Sequence, residues 1–254
     1  CRNIMETIMI DERMHTGLTP ENFKRLVEGN QPRMGEGGMV FTGAARLSWP
    51  YLEAPQALKA NSKGKPKYSG SFLLPHKAVG ALKDAAVAAI RQHYPNVTDP
   101  KIFMDPKNKN HPLKDQGLKV SVNEGGFDPI NQSTAGYVPG LPFIVAKSVQ
   151  AVPCFARRDG RVQVVLPNEI GKLFYPGCWV DAKLTLIKST DNGNPGVFFG
   201  LQSIMKLADD NRFGGSNSGK AEDFEGSATI EDPNAIVGST GTVANNEWDD
   251  EVPF

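Results

Sequence analysis

Aromatic and basic side chains share one face of several predicted strands. In CWVDAKLTLIK (178–188), Val180 and the alternate apolar residues predict a core face, so Trp179, Asp181 and Lys183 fall on the opposite face. Phe198 falls in the same way on the polar face of GVFFGLQSIMK (196–206). Rings of this kind stack on unpaired bases for about 1–3 kcal/mol each, and cations follow the phosphates. The pattern therefore favours binding of a single nucleic acid strand, since a duplex hides its base faces.

The same alternation places Arg46 on the strand face opposite to that of Leu47. Lysines are frequent in the loops beside these strands. Any one aromatic on a short strand could instead pack in the core, and a bulge would reverse the parity. It is the combination of rings with bases that favours binding. The predicted contacts are Arg46, Trp49, Lys63, Lys65, Lys67, Tyr68, Lys107, Lys109, Arg157, Arg158, Arg161, Trp179, Lys183 and Phe198.

The charge of the chain is divided between a basic body and an acidic end. The formal net charge is zero, but residues 39–208 carry 21 Lys and Arg against 11 Asp and Glu. From residue 209 to the end there are 11 acidic residues and two basic ones. A basic body indicates a polyanionic partner, and an acidic end on the same chain indicates a competitor for it or a recruiting segment.

Signals of catalysis are weak. There is no P-loop motif, and the four histidines have no metal-ligand spacing. The three cysteines form no CxxC pair, and Cys154 and Cys178 lie in or beside apolar strands, as inert buried thiols do. The sequence therefore predicts a reducing cytoplasmic setting and no enzymatic activity, catalytic residue, cofactor or metal. No apolar run is long enough to cross a bilayer, so no membrane partner is predicted.

Short strands separated by turns dominate the elements that must position these side chains. We predict strands at 40–49, 67–74, 143–151, 161–166, 178–188 and 196–206, the last two joined by the Asn-Gly turn at 189–196. One amphipathic helix is predicted at 76–93, and 96–142 reads as a long irregular segment. The predicted fold is a β-rich barrel or sandwich with one helix.

Four segments follow from this pattern. Residues 1–38 are predicted to be an N-terminal extension, either disordered or a gene-start artefact. Residues 39–206 form the predicted binding domain, residues 207–246 a disordered linker, and residues 247–254 an acidic docking tip.

The last residues, EWDDEVPF, have the composition of a docking peptide rather than of a solubilising tail. Acidic residues can steer the segment toward a basic partner, while a ring and a carboxylate at the chain end can enter a basic pocket. A proline beside them limits the entropy lost on docking. The predicted partner-binding residues are Glu247, Trp248, Asp249, Asp250, Glu251, Val252, Pro253 and Phe254.

Two blocks of the sequence carry a resemblance to a known family. VFTGAARLSWPYL with GKPKYSGSFLLP, and LFYPGCWVDAKLTLIKS with NPGVFFGLQSIMKLADDNRFGG, resemble the OB-fold single-stranded DNA-binding proteins of tailed phages and prophages. The resemblance covers roughly residues 39–215. The terminal EWDDEVPF is similar to the acidic tail of bacterial single-strand binding proteins.

The resemblance implies an OB-fold barrel of five to six strands, with long loop insertions and a disordered acidic C-terminal tail. Such a protein coats and protects single-stranded DNA without sequence preference during replication, recombination and repair in the bacterial host cytoplasm. The tail would recruit replication proteins, a polymerase or a helicase-primase, and would shield the DNA groove. Association into a homodimer is a further expectation, separate from the resemblance.

Two alternatives stay open at this point. A strand-annealing or recombination mediator protein would share the same surface chemistry. A virion or scaffold interaction module would instead direct the basic body at an acidic protein surface.

Overall fold

The computed structural model describes residues 17–57, 65–75, 78–99, 112–115, 136–138, 141–188 and 196–213. All of them belong to the first of two compact units of the chain, Cys1–Gly215. Some predictions fall outside the described residues: the contacts Lys63, Lys107 and Lys109, most of the predicted linker, and the docking tip at 247–254.

Five long strands close into a barrel. In chain order the strands are β1 (Arg33–Met34), β2 (Val40–Phe41), β3 (Ala45–Gln56), β4 (Lys67–Leu73), β5 (Lys114–Asp115), β6 (Pro142–Ser148), β7 (Cys154–Arg158), β8 (Arg161–Val164), β9 (Trp179–Lys188) and β10 (Val197–Ala208). The sheet runs β9-β3-β4-β6-β10, and β10 pairs back with β9. All of these pairings are antiparallel except β6 with β10. A closed five-stranded barrel with this strand order is an OB-fold, which confirms the predicted fold class.

The barrel interior is filled by alternate residues of these strands. Leu47, Phe72, Ile144, Val180 and Leu201 are all buried in one apolar cluster. Their neighbours along each strand point outward, as the period of two requires. The prediction that Val180 and the alternate apolar residues of β9 face the core is therefore confirmed.

Helix α2 (Val79–His93) packs its apolar side against the barrel. Leu82 and Ala85 join the interior cluster, while Ala86, Ala89 and Ile90 pack with Val197 at the start of β10. The helix ends at Tyr94 because the following Pro95 disfavours helical backbone at the residue before it.

A second layer covers part of the outside of the barrel. Helix α1 (Pro20–Gly29) begins with Thr19 as N-cap, whose Oγ1 accepts a hydrogen bond from Asn22 N at 3.3 Å. Its Phe23 and Val27 are buried in a cluster with Leu73, Phe143, Tyr137 and Trp179. Residues 17–38 thus differ from the expected extension, since they contribute a helix packed on the barrel and one short strand, β1, paired with β2.

The segment after β10 also differs from the expected linker start at 207. Leu207, Ala208 and Phe213 pack in the same outer cluster as α1. Phe213 N donates to Pro176 O at 2.9 Å, which holds the segment against the barrel. We call residues 208–213 the latch.

A hairpin, β7–β8, extends the sheet beyond β10. Strand β7 was not predicted, and it pairs in parallel with β10 through Cys154 and Ile204. The hairpin turns at Asp159 and Gly160, whose φ angles are 50° and 75°. A two-residue turn of type I′ needs positive φ at both of its central residues. A short helix, α3 (Ile170–Leu173), follows it and supports β3, where Gly171 N donates to Glu53 Oε1.

Strand β3 is longer than predicted. It continues through Pro50 to Gln56, with its pairing to β4 shifted between Ser48 and Tyr51. Among the described residues, no helix is long and apolar enough to cross a membrane.

Candidate nucleic-acid interface

An open groove crosses the outer face of β6 and β10. Its volume is about 910 Å³. The floor comes from Val145 and Lys147 of β6 and from Phe198, Gly200 and Gln202 of β10. The rim is formed by Lys67, Pro112, Ser148, Val149, Gln150, Ala151, Pro153, Ile187 and Lys188.

Lys147 stands at the centre of a row of cross-strand neighbours. In the strand registers, Tyr51 pairs with Ser69, Ser69 with Lys147, Lys147 with Gly200, and Gly200 with Thr185. Paired residues share a face of the sheet. The two cross-strand neighbours of Lys147, Ser69 and Gly200, are both small.

Gly200 leaves room for its cross-strand neighbours at the groove floor. A Cβ at this position would lie 2.7 Å from Ile187 Cδ1 and 2.8 Å from Thr185 Cγ2. The glycine therefore lets Ile187 lie close to β10, and it keeps the floor shallow beside Lys147.

Exposed apolar and aromatic side chains flank this row. Phe198 is 44% exposed and pairs across the ladder with Ile187, which is 50% exposed. On the other side, Tyr51 and Trp49 are 38% and 52% exposed. Trp49 has a φ of 50°, a conformation that a bulky residue rarely adopts, at the shifted register of β3. From β3 to β10 the face spans three strand spacings, about 14 Å.

Trp179 is not exposed, so the prediction that it faces solvent is wrong. It points away from the barrel interior as parity required, but α1 and the latch bury it completely. Its Nε1–H donates to Asp210 Oδ2 at 2.8 Å, and its ring lies 5.6 Å from that of Phe23. A base has no access to this ring.

The prediction for Arg46 is wrong for the same reason. Its guanidinium donates to Gly177 O at 2.9 Å, pairs with Asp210 at 3.2 Å, and lies over the ring of Phe213 at 4.3 Å. Burial lowers the pKa of Arg46, and the charge of Asp210 opposes that shift. The guanidinium stays charged and serves the latch.

Other predicted contacts are distributed around the barrel. Tyr68 is half-buried against the barrel core, and Lys183 lies outside the groove, 5.9 Å from the ring of Phe41. Lys65 is exposed, and Lys67 is on the groove rim. Of the predicted contacts that the structure describes, only Lys67 and Phe198 line the groove.

The three predicted arginines lie on the β7–β8 hairpin. Arg157 and Arg161 are exposed, and Arg157 donates to Gly160 O at 2.7 Å. Arg158 pairs with Glu169 at 2.8 Å, and this hydrogen bond lowers the pKa of Glu169. Strand β7 begins directly after Pro153 of the groove rim, so the hairpin continues from one end of the groove.

A family comparison identifies the kind of protein to which this arrangement belongs. The sequence model of a family described as Enterobacter phage Enc34, ssDNA-binding protein, matches residues 38–235. The chain belongs to this family. It is a family of DNA-binding proteins rather than of enzymes, in agreement with the predicted lack of catalysis.

Solved structures of this class are similar to the chain. One is the C-terminal truncation of the single-stranded DNA-binding protein from bacteriophage Enc34, with 20% identity, a TM-score of 0.49, and coverage of 72% of this chain and 97% of that one. The same phage protein in complex with ssDNA has 22% identity, a TM-score of 0.47, and coverage of 74% and 99%. A third is gp2.5, a single-stranded DNA binding protein encoded by bacteriophage T7, with 13% identity, a TM-score of 0.43, and coverage of 82% and 98%. No curated protein matches the chain.

In this member of the phage family, the groove-face residues absent from the predicted set include Lys147, Lys188, Ile187 and Tyr51. Lys147 lies in FIVAK, where the alternation of the strand puts it on the face opposite Ile144 and Ala146. The same alternation that was applied to β9 could therefore have identified it. Lys188 and Ile187 end a strand whose outward face was assigned only at its other end. Tyr51 follows Pro50 and lies beyond the end of the strand predicted at 40–49.

The described residues hold no group of three or more His, Cys, Asp or Glu side chains that could bind a metal ion. Burial raises the pKa of Cys154 to about 12 and that of Cys178 to about 11. Both thiols are therefore protonated at neutral pH, as expected for packing residues.

Proposed function

We propose that this chain binds single-stranded DNA in the groove on β6 and β10, without sequence preference. The observation that supports this most directly is that Lys67, Lys147 and Lys188 line the same groove as the exposed ring of Phe198. Ammonium groups can follow the phosphates while a base stacks on the ring. Neither interaction depends on the identity of the base.

The bound strand continues from Phe198 across Lys147 toward Tyr51 and Trp49. These rings lie on the same outer face of the barrel, and the small side chains of Ser69 and Gly200 leave room between the two ends. A duplex cannot present its base faces to such rings, so the preference is for unpaired DNA. Further phosphate contacts come from Lys63, Lys65, Lys107, Lys109, Arg157, Arg158, Arg161 and Lys183.

In this proposal the protein coats and protects single-stranded phage DNA during replication, recombination and repair in the bacterial cytoplasm. The acidic tip at 247–254 recruits replication proteins such as a polymerase or helicase-primase. It also competes with DNA for the basic body when DNA is absent, because its four carboxylates carry the same sign as phosphates. Dimerisation stays a prediction.

The test is a titration of fluorescein-labelled oligo-dT, followed by anisotropy at several salt concentrations and against an unlabelled duplex competitor. We expect tight binding that weakens with salt at a slope of about −0.7 per phosphate contacted, and that the duplex does not reverse.

A matched pair of lysine variants locates the site. Lys147→Ala should weaken binding and reduce the magnitude of the salt slope by about 0.7, since one phosphate contact is lost. Lys24→Ala, which removes an exposed lysine of α1, should change neither. Absence of oligo-dT binding at low salt would refute the function, and equal effects of the two variants would refute the proposed groove.

A further inference from the structure

Tyr94 contacts one end of the groove from outside it. The residue follows α2, and its ring packs beside Ile90 and Val197 in a small apolar cluster. Its hydroxyl donates to Gly196 O at 3.0 Å and accepts from Gly196 N at 3.1 Å. One side chain thus satisfies both backbone groups of a single residue.

Gly196 directly precedes β10, and its backbone groups need partners. The last described pair of the ladder is Lys188 with Val197, so Gly196 lies just beyond it. Gly196 is buried, and a buried backbone N–H and C=O must be paired. The phenol of Tyr94 pairs with both of these groups and so holds the residue that precedes β10.

The ring of Tyr94 makes a separate contact with a groove residue. Lys188 Nζ lies 4.8 Å from the ring centroid. An ammonium over an aromatic face is attracted to it, so the ring restricts the positions of a lysine that would otherwise be free at the groove rim. Hydroxyl and ring therefore act on the two residues, Gly196 and Lys188, that adjoin Val197 and Phe198.

We infer that Tyr94 is a positioning residue for the DNA groove, one that orders Phe198 through Gly196 and orders Lys188 through its ring. The inference rests on the proposed function and adds a residue that lies outside the groove lining. Side chains that are already ordered before DNA binds lose less conformational entropy on binding, which makes the binding free energy more favourable.

Two substitutions separate the contributions of hydroxyl and ring. Tyr94→Phe keeps the ring over Lys188 and removes both hydrogen bonds to Gly196. We expect oligo-dT affinity to fall about threefold to tenfold, with an unchanged salt slope. Tyr94→Leu removes the ring as well and should weaken binding further.

A double-mutant cycle identifies the route by which the ring acts. The additional effect of Tyr94→Leu over Tyr94→Phe should disappear in a Lys188→Ala background, because the ring then has no ammonium to hold. A purely structural role for the ring would leave that difference unchanged and would overturn this part of the inference.

Tyr175→Phe is the matched control, since it also removes a phenol hydroxyl that bonds twice. Tyr175 donates to Asp209 Oδ1 at 2.8 Å and accepts from Asp210 N at 3.1 Å, in the latch rather than at the groove. We expect this variant to lower the free energy of unfolding and to leave the affinity unchanged. All variants are made in the full chain, and urea unfolding is measured alongside anisotropy.

The outcomes distinguish the two proposals. If the unsubstituted chain binds oligo-dT and Tyr94→Phe binds equally well, the inference fails while the proposed function stands. Equal weakening by Tyr94→Phe and Tyr175→Phe would also overturn it, because general destabilisation would then explain both. If the unsubstituted chain does not bind, the function fails first and the inference with it.

Discussion

At the scale of the residue, Phe198 and Trp179 show that an outward direction does not ensure access. Both point away from the barrel interior on paired strands, β10 and β9. Phe198 is 44% exposed, while Trp179 is fully buried under Phe23 and hydrogen-bonded to Asp210. The first can stack on a base and the second can only stabilise the fold.

Replacing Phe198 by Ala should therefore weaken oligo-dT binding by about 1–3 kcal/mol, since a stacking platform is lost. The salt slope should not change, because no phosphate contact is removed. Anisotropy titrations at three salt concentrations measure both quantities. Val162→Ala, on the exposed face of β8, is a control that should bind normally. A changed slope with unchanged affinity at low salt would contradict stacking at this position.

Replacing Trp179 by Phe should lower the stability of the fold and leave the DNA affinity almost unchanged. The hydrogen bond to Asp210 and part of the packing against Phe23 are lost, so the free energy of unfolding should fall by about 1–3 kcal/mol. Oligo-dT affinity of the folded variant should stay within twofold of the original. Urea unfolding measures the stability and anisotropy measures the affinity. A loss of affinity without a loss of stability would show that Trp179 is exposed to DNA in solution rather than buried.

At the scale of the element, α1 and the latch convert an outer barrel face into a second core. Asp210 connects them, because its side chain accepts from Gly17 N at 2.7 Å as well as from Trp179 and Arg46. Segments from opposite ends of the barrel domain thus meet on one buried carboxylate. The groove on β6 and β10 lies beside this covered face, since Val145 lines the groove and also packs against the outer cluster.

The latch should also make stability depend on pH at its exposed end. The hydrogen bond from Lys206 Nζ to Asp209 Oδ1, at 2.7 Å, lowers the pKa of Asp209. A lowered folded-state pKa stabilises the fold above the unfolded value of about 3.9, and this contribution is lost as pH falls through the folded value.

The corresponding measurement compares the original chain with Asp209→Asn by urea unfolding between pH 2 and pH 7. The original should be more stable above about pH 4, by less than about 1 kcal/mol because the carboxylate is largely exposed. The two proteins should converge at lower pH. A stability difference that grows on acidification would show that the sign of the shift is wrong.

At the scale of the whole molecule, the separation of charge along the chain limits how DNA and tail can act. In the proposed function the basic body attracts phosphates, and the acidic end of the same chain competes with them at high local concentration. Both attractions weaken with salt, so their competition is strongest at low ionic strength.

Deletion of residues 247–254 should raise or preserve oligo-dT affinity at low salt and have no effect at high salt. The control is a full-length chain in which the four tip acids are replaced by Asn or Gln, which should behave like the deletion if charge is responsible. Pull-down of phage or host replication proteins should be lost in the deletion. Weaker DNA binding by the shortened chain would contradict a competing tail.

The sequence alone determined the alternation of buried and outward residues in β9 and in β10 as far as Leu201, where a register shift reverses it. It also determined the amphipathic helix after β4 and the separation of basic from acidic residues along the chain. These are local properties, since a strand repeats every two residues and a helix every 3.6. The phage-type OB-fold followed from two sequence blocks that together supply four of the five barrel strands.

Only the tertiary structure decided which outward faces stay open. Residues 17–30, Tyr137 and the latch are distant in sequence from Trp179 and Arg46, yet they bury both, and no local pattern contains that information. The bulge that exposes Trp49 and continues β3 past Pro50, and the contact of Tyr94 with Gly196 across about 100 residues, depend likewise on packing between separate segments. Access to solvent is a property of the assembled layers, so the groove could be located only once the covering elements were placed.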